Sequence, residues 1–163
     1  FEKSIILLCN YNADGAFGLI MNRPSTTNVE ELVSPELNCK NAFNIPLLIG
    51  GPVETDSFWS IHSSDFSIEG TSNISQRINL SSAKNILSSI AEGQKIQSYQ
   101  FGIGFSGWGP GQLDREIQEE SWWLGPLDES MIIDMEYELR WEKTMGNLGF
   151  DLLSTTFSKA GMV

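Results

Sequence analysis

The stretch with the strongest chemical signal is Gly102-Ile103-Gly104-Phe105-Ser106-Gly107, which follows a strand-like run and fits the G-x-G-x-x-G letters of a dinucleotide-binding turn. Asp128 stands near the spacing of the acid that holds a ribose hydroxyl in such sites. The context opposes that chemistry. Trp108-Gly109-Pro110-Gly111 puts a bulky ring and a helix-starting proline where the phosphate-facing helix should already run, and too few strands can follow. His62 is the single histidine, so a metal site lacks its commonest ligand in any number. Glu54, Asp56 and Asp65 lie nearby but do not match a calcium-loop pattern. A serine–histidine pair would have to use His62, and no Gly-x-Ser-x-Gly elbow is present. His62 is expected at a strand end, partly buried and hydrogen-bonded, and able to titrate near neutral pH. Glu116, Glu119 and Glu120 offer carboxylates on or near one helix, but acid–base work needs environments that push their pKa values apart. Arg115 and Glu119 stand at i,i+4 and predict an ordinary surface ion pair. No catalytic residue, metal or cofactor is assigned.

Gly104 to Leu113 carries four glycines, a proline and a tryptophan between a strand and a helix. Such density raises the entropic cost of ordering the chain, so the backbone there must need positive φ or close approach. N–H groups freed near Pro110 to Leu113 would favour an anionic group. Arg23 would add a bidentate cation if its strand ends nearby. Asn22, Arg23, Trp108 and Gln112, with His62, are therefore the candidate binding surface. The competing expectation is a tight structural corner plugged by Trp108.

Those residues need elements to hold them. Ile5 to Leu8 and Ala16 to Met21 read as a hairpin joined at Asp14-Gly15. Their unbroken apolar runs predict strands covered on both faces. Thr27 to Val33 reads as a short helix with Thr27 as N-cap and Glu30 three residues on. Pro46 to Ile49 and Phe58 to His62 read as strands, with weaker ones at Thr71 to Ser75 and Arg77 to Leu80. Ser81 starts an amphipathic helix that buries Ala83, Ile86, Leu87 and Ile90 and closes at Gly93. Tyr99 to Phe105 is a strand whose glycines admit another backbone. Pro110 opens a helix with Leu113 and Ile117 inward, Asp128 caps a turn through Ile133, and Glu136 to Asn147 is the last helix. Trp122, Trp123 and Trp141 are expected in packing roles. Strands and helices mix without steady βαβ alternation, so the fold class is α+β in one domain over residues 1–163.

The formal charge is −11, with 21 acids against 10 Lys plus Arg. The cations are scattered singly, which argues against direct nucleic-acid binding. The acids concentrate from Asp114 to Glu142, as a solvated face or as a docking face for a basic partner. No run of about 18 apolar residues occurs, so no membrane-spanning helix is expected. Cys9 and Cys39 are read as reduced thiols in a cytoplasmic protein, Cys9 acting as a small buried hydrophobe.

Taken in order, several stretches resemble the YqgE/AlgH family of bacterial proteins. They include Gly15 to Pro24, Gly50-Gly51-Pro52-Val53 and Ile61 to Asp65. Further along come Gly107 to Leu113 with Glu116-Ile117, then Ser121-Trp122, Arg140-Trp141 and Leu148 to Asp151. The resemblance runs nearly end to end. It implies a small, barrel-like, branching sheet flanked by helices, and it implies no activity. Family members commonly carry a further short segment before the position of Phe1 and often end in Gly-His-Ala, where this chain has Lys159-Ala160-Gly161-Met162-Val163. With no catalytic constellation, the expected function is a non-enzymatic binding or regulatory protein with a protein partner and no membrane contact. The alternative is an enzyme acting on a small anionic metabolite at the Gly104–Leu113 loop.

Overall fold

The computed structural model describes residues 1–33 and 44–150. Cys39 lies outside the described residues. The N-terminal hairpin pairs β1 (Ile6–Asn12) with β2 (Gly15–Ile20), and its turn is fixed by the Asp14 N–H donating to Asn12 Oδ1 at 2.8 Å.

All later pairing converges on β8 (Tyr99–Trp108). One edge of β8 carries β5 (Val53–Ser63), which pairs in turn with β7 (Ile78–Ser82) and then β6 (Ser72–Asn73). The other edge is shared. β4 (Pro46–Ile49) runs parallel to it at Gly102 and Ile103, and β2 runs antiparallel to it from Ser106 to Trp108. The sheet therefore branches, and it curls into a half-barrel. The glycines of β8 make the branch possible. At Gly102, a Cβ would overlap the indole of Trp59. Gly104 takes φ +67°, and its carbonyl accepts the Trp59 Nε1–H at 2.7 Å. The dinucleotide-like spacing is thus a packing device for one tryptophan and one fork.

Both faces of the sheet are covered. One core gathers Ile5, Leu7, Leu19, Met21, Leu48, Ile61 and Ile78 under α3 (Glu129–Asp134). The other gathers Val29, Leu47, Phe101 and Ile96 with Ala83 and Ile86 of α1 (Ala83–Ala91). Leu47 and Leu48 fall in different cores because neighbouring strand residues face opposite sides. In α1, Ser82 caps the Asn85 N–H and Gly93 ends the helix at φ +92°. Leu87 and Ile90 are only half-buried.

Four elements differ from the sequence expectation. Pro24–Asn28 is a strand, β3, paired with β4, and the helix expected from Thr27 shrinks to one 3-10 turn at Val29–Glu31. The edge of β4 offers those residues ladder partners, and Pro24 can begin a strand that needs no N–H there. The Glu31 carboxylate, not that of Glu30, accepts the Asn28 N–H at 3.0 Å. α2 (Gln112–Gln118) starts two residues after Pro110, because Gly111 takes φ +68°. Glu136 to Asn147 splits into a 3-10 turn at Tyr137–Leu139 and α4 (Arg140–Asn147). Trp123, expected in packing, stacks one face on Phe150 with centroids 4.5 Å apart and is otherwise 44% exposed.

Candidate functional site

At the C-terminal end of β8 the chain turns a tight corner into α2. Trp108 is buried there and donates its Nε1–H to Glu116 Oε2 at 2.9 Å. Trp122 donates to the same oxygen at 2.7 Å, and Gln112 Nε2 donates to Glu116 Oε1 at 2.9 Å. The Gln112 carbonyl oxygen in turn accepts the Gly109 N–H at 3.0 Å. One carboxylate thus clasps two indoles and a carboxamide. Partial burial works to raise the Glu116 pKa, but the donors on Trp122, Gln112 and Trp108, helped by Arg115, hold it below the usual carboxylate range. Sequence reading missed this role for Glu116. Its position four residues after Gln112, on the same helix face, was the available signal. Among the described residues Arg115 and Glu119 form no ion pair; the salt bridge is Arg77 to Asp134 at 3.3 Å.

The other candidate residues do not gather at this corner. Asn22 ties down the N-terminal segment, accepting the Ile5 N–H and donating to the Lys3 carbonyl, each at 2.8 Å. Arg23 donates to the Glu2 carbonyl at 2.8 Å. Neither makes a hydrogen bond to the Gly104–Leu113 loop. His62 pairs with Tyr99 at the opposite end of β8, so about 30 Å of strand separates it from Trp108.

His62 is fully buried. Its Nδ1 lies 3.0 Å from the Ser63 carbonyl and must carry the proton, so Nε2 accepts from Ser81 Oγ at 2.9 Å. Burial lowers its pKa, against the opposing pull of the Ser63 carbonyl and Asp65. This is a serine–histidine pair by distance, but both residues are sealed from solvent. Cys9 is also buried in effect: burial pushes its thiol up to about 12, far from a reactive thiolate. Among the described residues no group of three His, Cys, Asp or Glu side chains is placed to hold a metal ion.

Behind the corner lies a second feature. Residues Ser4 to Leu8 form one wall of a groove of about 300 Å³, and Trp123 to Leu127 with α4 form the other. Trp108 and Trp122 line it, stacked edge to face with centroids 5.7 Å apart. Its rim is apolar and open: Leu124 is 67% exposed, and Leu8 and Leu127 are also exposed. Among the described residues Asp128 is the one charged residue lining it. The Glu116 clasp ties Trp122, which follows α2, to Trp108 at the corner. This arrangement can bind apolar side chains; among the described residues it brings no nucleophile next to a base.

The branched half-barrel with helices on both faces defines a distinct class of α+β fold. The AlgH-like family model (DUF179) matches residues 1–153, and the chain belongs to that family. It is 33% identical over 156 residues to a UPF0301 protein of Pseudoalteromonas translucida, covering 93% of this chain and 84% of that one. Another UPF0301 protein, from Methylococcus capsulatus, is 32% identical over 164 residues, covering 99% and 87%. The solution structure of AlgH from Pseudomonas aeruginosa aligns with a TM-score of 0.76 at 29% identity, over 96% of this chain and 86% of that one. Protein DIP2367 of Corynebacterium diphtheriae, at 20% identity and TM-score 0.72 over 89% and 77%, shares the fold.

Proposed function

We propose that this chain is a non-enzymatic binding protein of the cytoplasm, which acts by engaging a protein partner in the groove between β1 and Trp123–Leu127. The supporting observation is the rim of Trp123, Leu124 and Leu127, apolar and exposed in a protein of net charge −11. A contiguous exposed apolar patch on a monomer marks an interaction site more often than chance. No helix among the described residues is long and apolar enough to cross a membrane. A regulatory effect on transcription would run through that partner, since the negative charge opposes direct contact with a duplex.

The alternative, an enzyme acting on a small anionic metabolite at the Gly104–Leu113 loop, draws less support. The Gly109 N–H is already taken by Gln112, and the corner presents the Glu116 carboxylate. Chemical cross-linking in cells with wild-type protein and with Leu124→Glu decides between them. The binding reading expects a specific cross-linked protein that disappears in the variant. Unchanged cross-links, or a metabolite that copurifies and is lost on Trp108→Ala, would overturn it.

A further inference from the structure

Among the described residues β1 is an edge strand, and its first half lines the groove. The Met21 N–H donates to the Ile5 carbonyl at 2.9 Å, which makes Ile5 and Met21 a hydrogen-bonded pair. Antiparallel alternation makes Leu7 and Leu19 the next such pair, so the N–H and C=O groups of Ile6 and Leu8 point away from β2. Ile20, opposite Ile6, agrees: its N–H also turns away from β1, to the Gly50 carbonyl at 2.9 Å. Among the described residues no strand pairs with β1 on that outer side. A register shift between Leu8 and Asn10 interrupts the alternation, and the outward groups of Ile6 and Leu8 fall on the stretch that lines the groove.

An unpaired edge beside an apolar wall is the arrangement that accepts an added strand. Resting on the binding reading above, we propose that β1 receives an extended segment of a partner protein, apolar at alternate residues and carrying a Lys or Arg. Its backbone pairs with Ile6 and Leu8, and its apolar side chains pack between Leu8 and Leu124. The cation is set by Asp128, the charged residue of the lining. That carboxylate accepts from the Met131 N–H at 3.1 Å and from Asn147 Nδ2 at 3.0 Å, contacts that keep it anionic. A chain of charge −11 attracts such a segment and repels a second copy of itself.

The experiment pans the full chain against displayed random eight-residue peptides and then titrates a synthetic consensus peptide. The expected consensus alternates apolar residues and contains Lys or Arg. N-methylation of the peptide amides of one parity should weaken binding about tenfold, and of the other parity hardly at all. Asp128→Asn keeps a good helix cap and should weaken the peptide several-fold, less so as salt rises. Leu124→Glu should abolish binding while the fold, checked by circular dichroism, stays intact. A consensus with helical spacing that still needs Leu124 would overturn strand addition and leave the groove as a binding site. Binding untouched by Leu124→Glu would overturn both readings. No enrichment, or a dimer in sedimentation that protects the Leu8 amide from exchange, would overturn strand addition.

Discussion

The two ends of β8 hold opposite anomalies. At the Tyr99 end, polar groups are buried. His62, Gln100 and Arg140 are all at or below 5% exposure. Arg140 donates to the carbonyls of Met135, Met21 and Ile132 and to Gln100 Oε1, and it lies 4.6 Å from the Tyr137 ring centroid. Every partner there is neutral, and burial lowers its pKa to about 10, so it remains charged at neutral pH. At the Trp108 end, apolar groups are exposed: Leu124, Leu127 and Trp123 face outward. The difference lies in satisfaction. His62, Gln100 and Arg140 each find partners within the chain, which marks scaffold. Trp123 stacks one face on Phe150, centroids 4.5 Å apart, while Leu124 stands 67% exposed, which marks a surface for something else.

The comparison breaks most sharply at Arg140. Arg140→Ala strips several buried acceptors of their donor at once, each worth about 1–3 kcal/mol, so urea unfolding should show a loss of roughly 3–5 kcal/mol. A loss below about 1 kcal/mol would mean that the buried end is not a scaffold. Gly102→Ala pushes a methyl into the Trp59 indole. Its cost should be roughly 1–3 kcal/mol, with tryptophan fluorescence shifted.

The Glu116 clasp sits between the two ends in effect. Its carboxylate has a lowered pKa in the folded chain, so its stabilisation is present above the unfolded-state pKa and fades as pH falls through the folded-state value. Near-ultraviolet circular dichroism should change at acidic pH in the wild type. Glu116→Gln, which removes the titration, should flatten that change; an identical profile would exclude Glu116 as its source. Leu124→Ser should be smallest of all for stability, within about 0.5 kcal/mol, since the side chain is already in water.

Much of the fold was readable in the residues. Asp14-Gly15 announced the hairpin, and the spacing of Ala83, Ile86, Leu87 and Ile90 announced α1. Pro24–Asn28 was not readable, because its strand state depends on β4, twenty residues away. Local propensity cannot see such a partner. At the site, the corner at Trp108 and Gln112 was legible from its glycines and proline. The placing of Asn22, Arg23 and His62 was not, since a strand run gives no hint of which neighbour it meets. The groove was hidden for a related reason: Trp123 and Leu124 look like core residues until the fold leaves them outside.

The fork in β8 also orders events in time. β2, β4 and β5 all need that strand, yet it begins only at Tyr99. During synthesis at about 5–20 residues per second, the first hairpin has nothing but its own turn to hold it for roughly 5–20 s. Pairing then closes over long stretches of chain at once, the slowest kind of contact to form. The nascent N-terminal half is thus a client for any factor that shields unpaired strands, until ten residues arrive and three partners dock together.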